Sequence, residues 1–391
     1  MASIRKRGNS YLIVVSTGYD YQGNRRKSQQ KTVKPPDNLT PKQIEKWLNE
    51  QALIFEKQIK NEPVILNKNI TVAQYIKIFK NEVSPIKHAK STQNRNKIEY
   101  ERILPYLGHI KLKDLKAEDF RNFYAEMRKM KSKRSGEPLA EASIEGLHSV
   151  VCSILSSAME QGYLTHNPAW RTYKPQAQKK EKIIADEETV QKILSALEQE
   201  SIKYEVYFKI IIATGMRRGE CCGIQWSDIN FKENSIHIQR NVVKIGGEKV
   251  FAKEPKTKSG NRYVYFSDTL ASLLQEYKRF CTEHMRVYEN AEITEDTYLF
   301  KQNNSDLPMI PDGFSGKFKK ILKANNLPPY LNVHSLRHTT ASLLIANGTD
   351  VATVASLLGH AQVSTTLDIY THAFDKNRKK AAEELQKGLG V

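Results

Sequence analysis

This sequence of 391 residues has few cysteines, no long apolar run and no carboxylate cluster at metal-ligand spacing. The cysteines are few and form no CxxC pair, which argues against a zinc site or a secreted disulfide framework; they are Cys152, Cys221, Cys222 and Cys281. No apolar run approaches the roughly 20 residues that span a bilayer, and the N-terminal MASIRKRGNS lacks the apolar stretch of a secretion signal. No carboxylates cluster at metal-ligand spacing, which argues against a metal nuclease. These absences favour a cytoplasmic protein.

Acidic residues are also in the minority. The chain has 61 lysines and arginines against 43 aspartates and glutamates, a formal net charge of +18. Such an excess favours encounter with a polyanion and the release of counterions when phosphates are bound. Nucleic acid is therefore the leading partner, and a merely solvated basic surface is the alternative.

The N-terminal region predicts a small sheet followed by a helix. The residues over 11–15 are apolar and strand-forming, and after breaks at Gly18 and Gly23 a second segment runs over 27–33, as in antiparallel strands. Thr40 and Pro41 then supply a helix start, with proline in the first turn. Basic residues crowd the predicted strands, and a sheet face pressed into a DNA groove or a solvated strand face would each explain them; they include Arg5, Arg7, Arg25, Arg26 and Lys27.

Beyond Ile70 the apolar spacing becomes helical and predicts an all-α unit with short loops. Lys90 and Arg95 are among the basic residues on it and are candidates for phosphate contact, with a solvated surface as the alternative. A polar run from Lys174 to Lys182 has the composition of a linker. After it, helices surround a strand-rich stretch over 235–266, so the last unit is expected to be mainly helical with a small sheet.

Arginine, lysine, histidine and tyrosine occur at sharp turns in the last unit. The stretches are ATGMRRGE, PKTKSG, HSLRH, and LLGH followed by STTLDIY. Taken singly, each has an ordinary explanation as surface charge, capping or packing. Together they meet the needs of phosphodiester cleavage without a metal ion. Guanidinium groups match the non-bridging oxygens of a phosphate, a phenol can attack phosphorus, and a lysine can protonate the leaving oxygen.

In these stretches the chain resembles the tyrosine recombinases, the lambda integrase family. That family combines an arginine in TGxRxxE, a lysine in a β-hairpin, an HxxR pair, a histidine after LLG, and a tyrosine ten residues later. The resemblance implies Tyr370 as nucleophile and Glu220 as structural support for an arginine. The phosphate-activating set would be Arg217, Lys258, His334, Arg337 and His360. Lys256 and Lys258 lie two apart and would share a strand face, so the choice of Lys258 comes from the resemblance alone.

The resemblance extends to the layout of the whole chain, which is similar to integrases of conjugative transposons and prophages. It implies an α+β multidomain protein: a small three-stranded-sheet, arm-type DNA-binding domain over 1–65, an all-α, SAM-like core-binding domain over 66–175, and a mainly α catalytic domain with a small β-sheet, the DNA breaking-rejoining fold, over 176–391. The C-terminal segment from Asp375 would pack on a neighbouring protomer.

The resemblance also implies how such a protein would work in a bacterial cell. The partners would be double-stranded DNA with attachment sites, three further copies of the chain in a tetramer on DNA, an excisionase and a host DNA-bending protein. No metal or nucleotide cofactor would be required. A type IB topoisomerase, which uses the same chemistry to relax supercoils, is the alternative, and a non-catalytic DNA-binding regulator is a third hypothesis.

Overall fold

The computed structural model describes residues 2–16, 27–36, 39–59, 69–132, 135–172, 174–178, 184–246, 250–254, 258–360, 362, 363, 367 and 386. Contacts divide the chain into two compact units, Met1–Lys179 and Lys180–Val391. The division falls inside the polar run that predicted a linker. The finer separation at residue 65 stays a prediction.

An antiparallel sheet opens the first unit, in the order β1 (Ser3–Arg7), β2 (Ser10–Val15), β3 (Gln29–Val33). Helix α1 (Pro41–Ile59) follows the sheet and begins at the predicted proline. Ile4 pairs with Ile13 in the register of β1 and β2, and both belong to the small apolar core that includes Ala52 of α1. Because side chains alternate between the faces of a strand, Arg5 and Arg7 lie on the face opposite that core.

Helices build the rest of the first unit, as predicted. They are α2 (Val72–Ile78), α3 (Ser84–Lys87), α4 (Lys90–Leu107), α5 (Ala117–Lys129) and α6 (Glu141–Glu160), with a π-helical segment at Phe79–Val83. Their apolar faces share one core, which buries Tyr75, Phe120, Tyr124, Leu147 and Ile154. Among the described residues, α6 is the one helix whose length and apolar composition would allow it to cross a membrane, and half of that stretch is buried in the unit.

The second unit is mainly helical, with short antiparallel strands between its helices. Its helices are α7 (Glu187–Leu197), α8 (Ile202–Thr214), α9 (Arg218–Cys222), α10 (Asp268–His284), α11 (Pro311–Ala324), α12 (Val333–Ala346) and α13 (Val351–Leu358). The strands are β4 (Ile229–Asn230), β5 (Ser235–Ile238), β6 (Asn241–Val243), β7 (Phe251–Lys253) and β8 (Arg262–Tyr265). Strand β5 lies between β4 and β8, while β6 pairs with β7.

The core of the second unit is aromatic and aliphatic. Tyr207 of α8 stacks on Phe314 of α11, with ring centroids 3.6 Å apart, and meets Phe300 edge to face. Buried rings of this size contribute much of the burial free energy of a domain. This core fixes α8, whose C-terminal end leads directly into the first of the predicted active-site stretches.

Candidate active site

The turn between α8 and α9 places Arg217. Gly215 ends α8 with a φ of 64°, and a Cβ there would lie 2.7 Å from Leu358 Cδ2, so the position favours glycine. Arg217 precedes the first turn of α9, and its backbone N–H donates to Glu220 Oε2 at 2.9 Å. Its Nη1 donates to Glu220 Oε1 at 2.6 Å and its Nη2 to the Gly359 carbonyl at 3.0 Å. The arginine therefore links α9 to the turn after α13.

Glu220 is the acidic centre of this arrangement. Its side chain is 3% exposed and accepts hydrogen bonds from Arg217 and from Arg262 Nη2, the latter at 3.0 Å. Burial opposes its ionisation, but the charge and hydrogen bond of Arg262 and the charge of Arg217 outweigh burial and lower the pKa of the carboxyl. Glu220 is thus an ionised, buried partner of Arg217 and Arg262, and its supporting role in an active site stays a prediction.

Arg337 comes from the buried face of α12. It is 2% exposed, and its Nη1 and Nη2 donate to the carbonyls of Gly215 at 2.8 Å and Leu358 at 2.7 Å. These two carbonyls end α8 and α13, where helices leave acceptors without partners of their own. Arg337 therefore fixes the ends of the two helices that flank Arg217 and His360.

Arg217, Glu220 and Arg337 form a cluster of buried and half-buried charges, and Arg262 also belongs to it. The sequence predictions missed Arg262. It begins β8, is 9% exposed and donates to Glu220 Oε2 and to the Leu357 carbonyl. A signal was present, because alternation along β8 places Arg262 on the same face as buried Val264. An arginine on an apolar strand face needs a buried acceptor.

The turn after α13 brings His360 to the cluster. Gly359 has a φ of 67°, and a Cβ there would lie 2.7 Å from Arg262 Nη1 and 2.8 Å from the Ser259 carbonyl. The backbone N–H of His360 donates back to the Ala355 carbonyl at 2.9 Å. The predicted helix end at Gly359 is confirmed, and it places His360 beside the arginines.

His360 is held neutral at physiological pH. Burial first, and then the charges of Arg337, Arg217 and Arg262, lower its pKa from 6.5 to about 4, against the opposing effect of Glu220. A neutral imidazole can accept a proton or a hydrogen bond, as a base near a phosphate must.

A pH titration should reveal this shift. A histidine whose folded pKa is depressed favours the unfolded state as pH falls, since the unfolded chain takes up the proton first. We expect the melting temperature of the wild type to fall more steeply than that of His360→Gln as pH decreases from 6.5 toward 4. NMR should show the His360 ring titrating in the same range, with His360→Gln identifying its signal. A ring that titrates at or above 6.5 would contradict the assignment.

His334 lies in the first turn of α12. Its side chain is exposed, its backbone N–H donates to the capping Asn332 Oδ1 at 2.9 Å, and its ring meets that of His338 edge to face at 4.5 Å. It shares α12 with Arg337, as the HxxR spacing predicted. Its exposure makes the ring accessible to a ligand.

Lys258 and Tyr370 complete the predicted catalytic set, with Lys256 as the alternative to Lys258. Lys258 begins a single 3-10 turn, Lys258–Gly260, between β7 and β8, which belong to different sheets. The expectation of a strand position was therefore wrong for Lys258, because the backbone tightens into the turn that leads to Arg262. Lys256 and Tyr370 lie outside the described residues, as does nearly all of the segment from Asp375.

The neighbour of Arg217 has a different environment. Arg218 forms an exposed ion pair with Asp312 Oδ1 at 2.7 Å and a hydrogen bond to Ser315 Oγ at 3.1 Å, both on α11. The two adjacent arginines therefore have different partners.

The predicted DNA-contact residues are spread over the first unit. Those that the structure describes are exposed, and they are Arg5, Arg7, Lys27, Lys90 and Arg95. Arg25 and Arg26 lie outside the described residues.

The charges of the cluster suit an anion. Arg217, Arg262 and Arg337 bring three guanidinium groups, and Glu220 brings one carboxylate. Arg217 has a side chain 40% exposed, and its two contacts use two of the five N–H donors of its guanidinium. Such preorganised donors stabilise charge that develops on phosphate oxygens. Among the described residues, no group of three or more His, Cys, Asp or Glu is placed to hold a metal ion.

Family models match two parts of the chain. The phage integrase family matches residues 184–377, and the phage integrase N-terminal SAM-like domain matches residues 71–128. The first range contains the arginine cluster, and the second contains most of the helical core of the first unit.

Individual relatives agree with these models. The ICEBs1 integrase of Bacillus subtilis is 30% identical over 248 residues, which cover 63% of this chain and 66% of that protein. The transposase from transposon Tn916 of Enterococcus faecalis is 26% identical over 220 residues, or 52% of this chain and 53% of that protein. The matches thus span between half and two thirds of these relatives.

Solved structures share the fold. The Tn1549 transposon integrase in complex with transposon right end DNA has a TM-score of 0.65 and 20% identity, covering 82% of this chain and all of that one. A lambda integrase tetramer bound to a Holliday junction has a TM-score of 0.54 and 15% identity, covering 92% and 95%. The predicted fold class, an integrase-type multidomain protein that is mainly helical with small sheets, is confirmed.

Proposed function

Because the chain belongs to the phage integrase family of tyrosine recombinases, we propose that it is a site-specific recombinase that integrates and excises a mobile DNA element. The observation that carries the proposal is the arginine cluster around Glu220. It joins segments more than a hundred residues apart in sequence and leaves an excess of positive charge beside His360. A scissile phosphate is the anion that this arrangement would serve.

The reaction follows from this chemistry. The phenolic oxygen of Tyr370 attacks phosphorus, forming a 3′-phosphotyrosine and breaking the bond to the 5′ oxygen, which leaves as a hydroxyl after it gains a proton. Lys258 supplies that proton as general acid. Arg217 and Arg337 stabilise the charge on the non-bridging oxygens, while neutral His360 helps to deprotonate the tyrosine and His334 donates to the phosphate. Attack by a 5′ hydroxyl of the new partner strand reverses the step.

This route needs neither a metal nor a nucleotide cofactor. One phosphodiester replaces another at each step, so the bond energy is kept in the phosphotyrosine until the strands rejoin. The protonated arginines supply the positive charge that a metal ion provides in other phosphoryl transfers. Glu220 contributes by holding Arg217 in place.

The first unit would hold the DNA. Arg5 and Arg7 share the sheet face opposite the small core, and Lys27 precedes β3, so this face can enter a groove as an arm-type domain over 1–65. Lys90 and Arg95 on α4 would contact the phosphate backbone as part of a core-binding domain over 66–175. The catalytic domain would extend from 176 to 391.

The proposed assembly follows the solved relatives. A lambda integrase forms a tetramer on a Holliday junction, and we propose that this chain acts as a tetramer on double-stranded attachment sites. The segment from Asp375 would pack on a neighbouring protomer. An excisionase and a host DNA-bending protein would set the direction of recombination, and the enzyme would act on the nucleoid in a bacterial cytoplasm.

A suicide substrate tests the proposal. A duplex spanning the end of the encoding element, nicked near the cleavage position, should trap the wild type as a covalent adduct, because the short fragment that carries the freed 5′ hydroxyl diffuses away before rejoining. A paired-site plasmid in cells should then recombine. Relaxation of supercoils without recombination would favour a topoisomerase, and binding without adducts would favour a DNA-binding regulator. Either result would overturn the recombinase proposal.

A further inference from the structure

Arg262 occupies an unusual position for an arginine outside the predicted catalytic set. Its side chain is 7% exposed, and its guanidinium contacts two distant segments and the turn that directly precedes it. Nε donates to the Leu357 carbonyl at 2.6 Å, Nη2 to Glu220 Oε2 at 3.0 Å, and Nη1 to the Gly260 carbonyl at 3.4 Å. A planar fork of this kind fixes the directions of all three partners at once.

Each contacted segment leads to a candidate catalytic residue. Glu220 holds Arg217 through two hydrogen bonds. Gly260 ends the 3-10 turn that begins at Lys258. Leu357 precedes the turn of Gly359 and His360.

The backbone at Gly359 is fitted closely to this side chain. A Cβ at Gly359 would lie 2.7 Å from Arg262 Nη1 and 3.0 Å from Cζ, and the φ of 67° already excludes most other residues. The turn that carries His360 therefore lies directly on the guanidinium. This packing supports the hydrogen bonds as a second, independent observation.

We propose that Arg262 is a positioning residue for DNA cleavage, which holds Glu220 and the turn after α13 so that Arg217 and His360 meet at the scissile phosphate. The inference rests on the proposed recombinase function and deepens it. In this proposal Arg262 acts through the groups that it holds, since its donors are directed at Glu220 and at two backbone carbonyls. A purely stabilising ion pair would instead affect the melting temperature alone.

Two substitutions separate geometry from charge. Arg262→Lys keeps the charge, but its single nitrogen cannot contact both Glu220 and Leu357 in the directions of the fork. Arg262→Met keeps most of the length and removes the charge. Arg240→Met is the matched control, because Arg240 also joins a buried carboxylate, that of Asp228, to a carbonyl, that of Gly223.

The melting temperature of each full-length variant is measured first, and three further measurements are then made well below it. They are the DNA dissociation constant, the single-turnover rate of adduct formation on the suicide substrate, and the NMR titration of His360. We expect Arg262→Lys to slow adduct formation about tenfold or more with DNA affinity within about threefold of the wild type. Arg262→Met should slow it at least as much and also raise the pKa of His360, since Arg262 is one of the three arginines whose charges lower it. Arg240→Met should lower the melting temperature yet leave the rate and the titration unchanged.

The outcomes are distinguishable. Wild-type rates in both Arg262 variants, or an equal loss in Arg240→Met, would overturn the positioning role. If Arg262→Met does not fold, Arg262→Lys decides, since it keeps the buried charge. If the wild type forms no adduct at all, the recombinase proposal fails, and the His360 titration alone then supports or refutes the positioning of that histidine by Arg262.

Discussion

Replacing Tyr370 by phenylalanine is expected to abolish the covalent protein–DNA adduct, a loss of at least about 10⁴-fold in adduct formation, while DNA affinity stays within about threefold of the wild type. The substitution removes one oxygen atom, the atom that would bond to phosphorus. The arginines that bind the phosphate are unchanged, so binding should survive. The measurement is covalent trapping on the nicked suicide duplex, read by denaturing electrophoresis beside a binding assay.

Tyr330→Phe is the matched control for this loss. Tyr330 is 58% exposed in the same unit, and losing its hydroxyl should affect neither binding nor trapping. If Tyr370→Phe still forms adducts, Tyr370 is not the nucleophile, and mass spectrometry of the trapped peptide would identify the residue that is. Loss of trapping in both variants would show that the assay responds to something other than the attacking oxygen.

The sequence predicted those parts of the site that local patterns encode. The strand-forming segments over 11–15 and 27–33 predicted β2 and β3, whereas a third strand was expected only from the family resemblance. The helix start at Pro41 and the helix end at Gly359 were each predicted from one or two residues. Arg217 lies at the start of α9, and Arg337 and His334 share α12, because helix capping and the three-residue spacing are properties of neighbouring residues. Such features need no knowledge of the tertiary structure.

Contacts between distant segments could not be predicted in the same way. The hydrogen bond from Arg217 to Gly359 joins residues 142 apart, and that from Arg262 to Leu357 joins residues 95 apart. The residues next to Arg262 in sequence do not show that Glu220 is its partner. Arg262 was therefore overlooked among the many basic residues. Lys258 was assigned to a strand because it lies in the strand-rich stretch predicted over 235–266, whereas the chain forms a 3-10 turn there before entering β8.

The substitution Arg217→Lys is expected to slow adduct formation about 10²-fold or more, with a much smaller effect on DNA binding. Arg217 donates from Nη1 to Glu220 and from Nη2 to Gly359 while its exposed side presents further N–H donors to a ligand. A lysine ammonium at the end of a flexible chain can contact Glu220, but it cannot also contact Gly359 and offer two parallel donors to a phosphate. Because the substitution keeps the positive charge, a slower rate of adduct formation would measure the contribution of the guanidinium geometry. The single-turnover rate of covalent trapping on the suicide duplex tests this prediction.

Arg218→Lys provides the control, because it alters the adjacent arginine in the same turn of α9. Arg218 contacts Asp312 and Ser315 at an exposed position, where an ion pair contributes little and lysine can replace arginine. Its trapping rate should stay within about threefold of the wild type. Equal losses in the two variants would mean that the start of α9 tolerates no lysine for reasons of folding. A trapping rate for Arg217→Lys near that of the wild type would mean that the phosphate is bound elsewhere. The buried network of Glu220 would then serve stability alone.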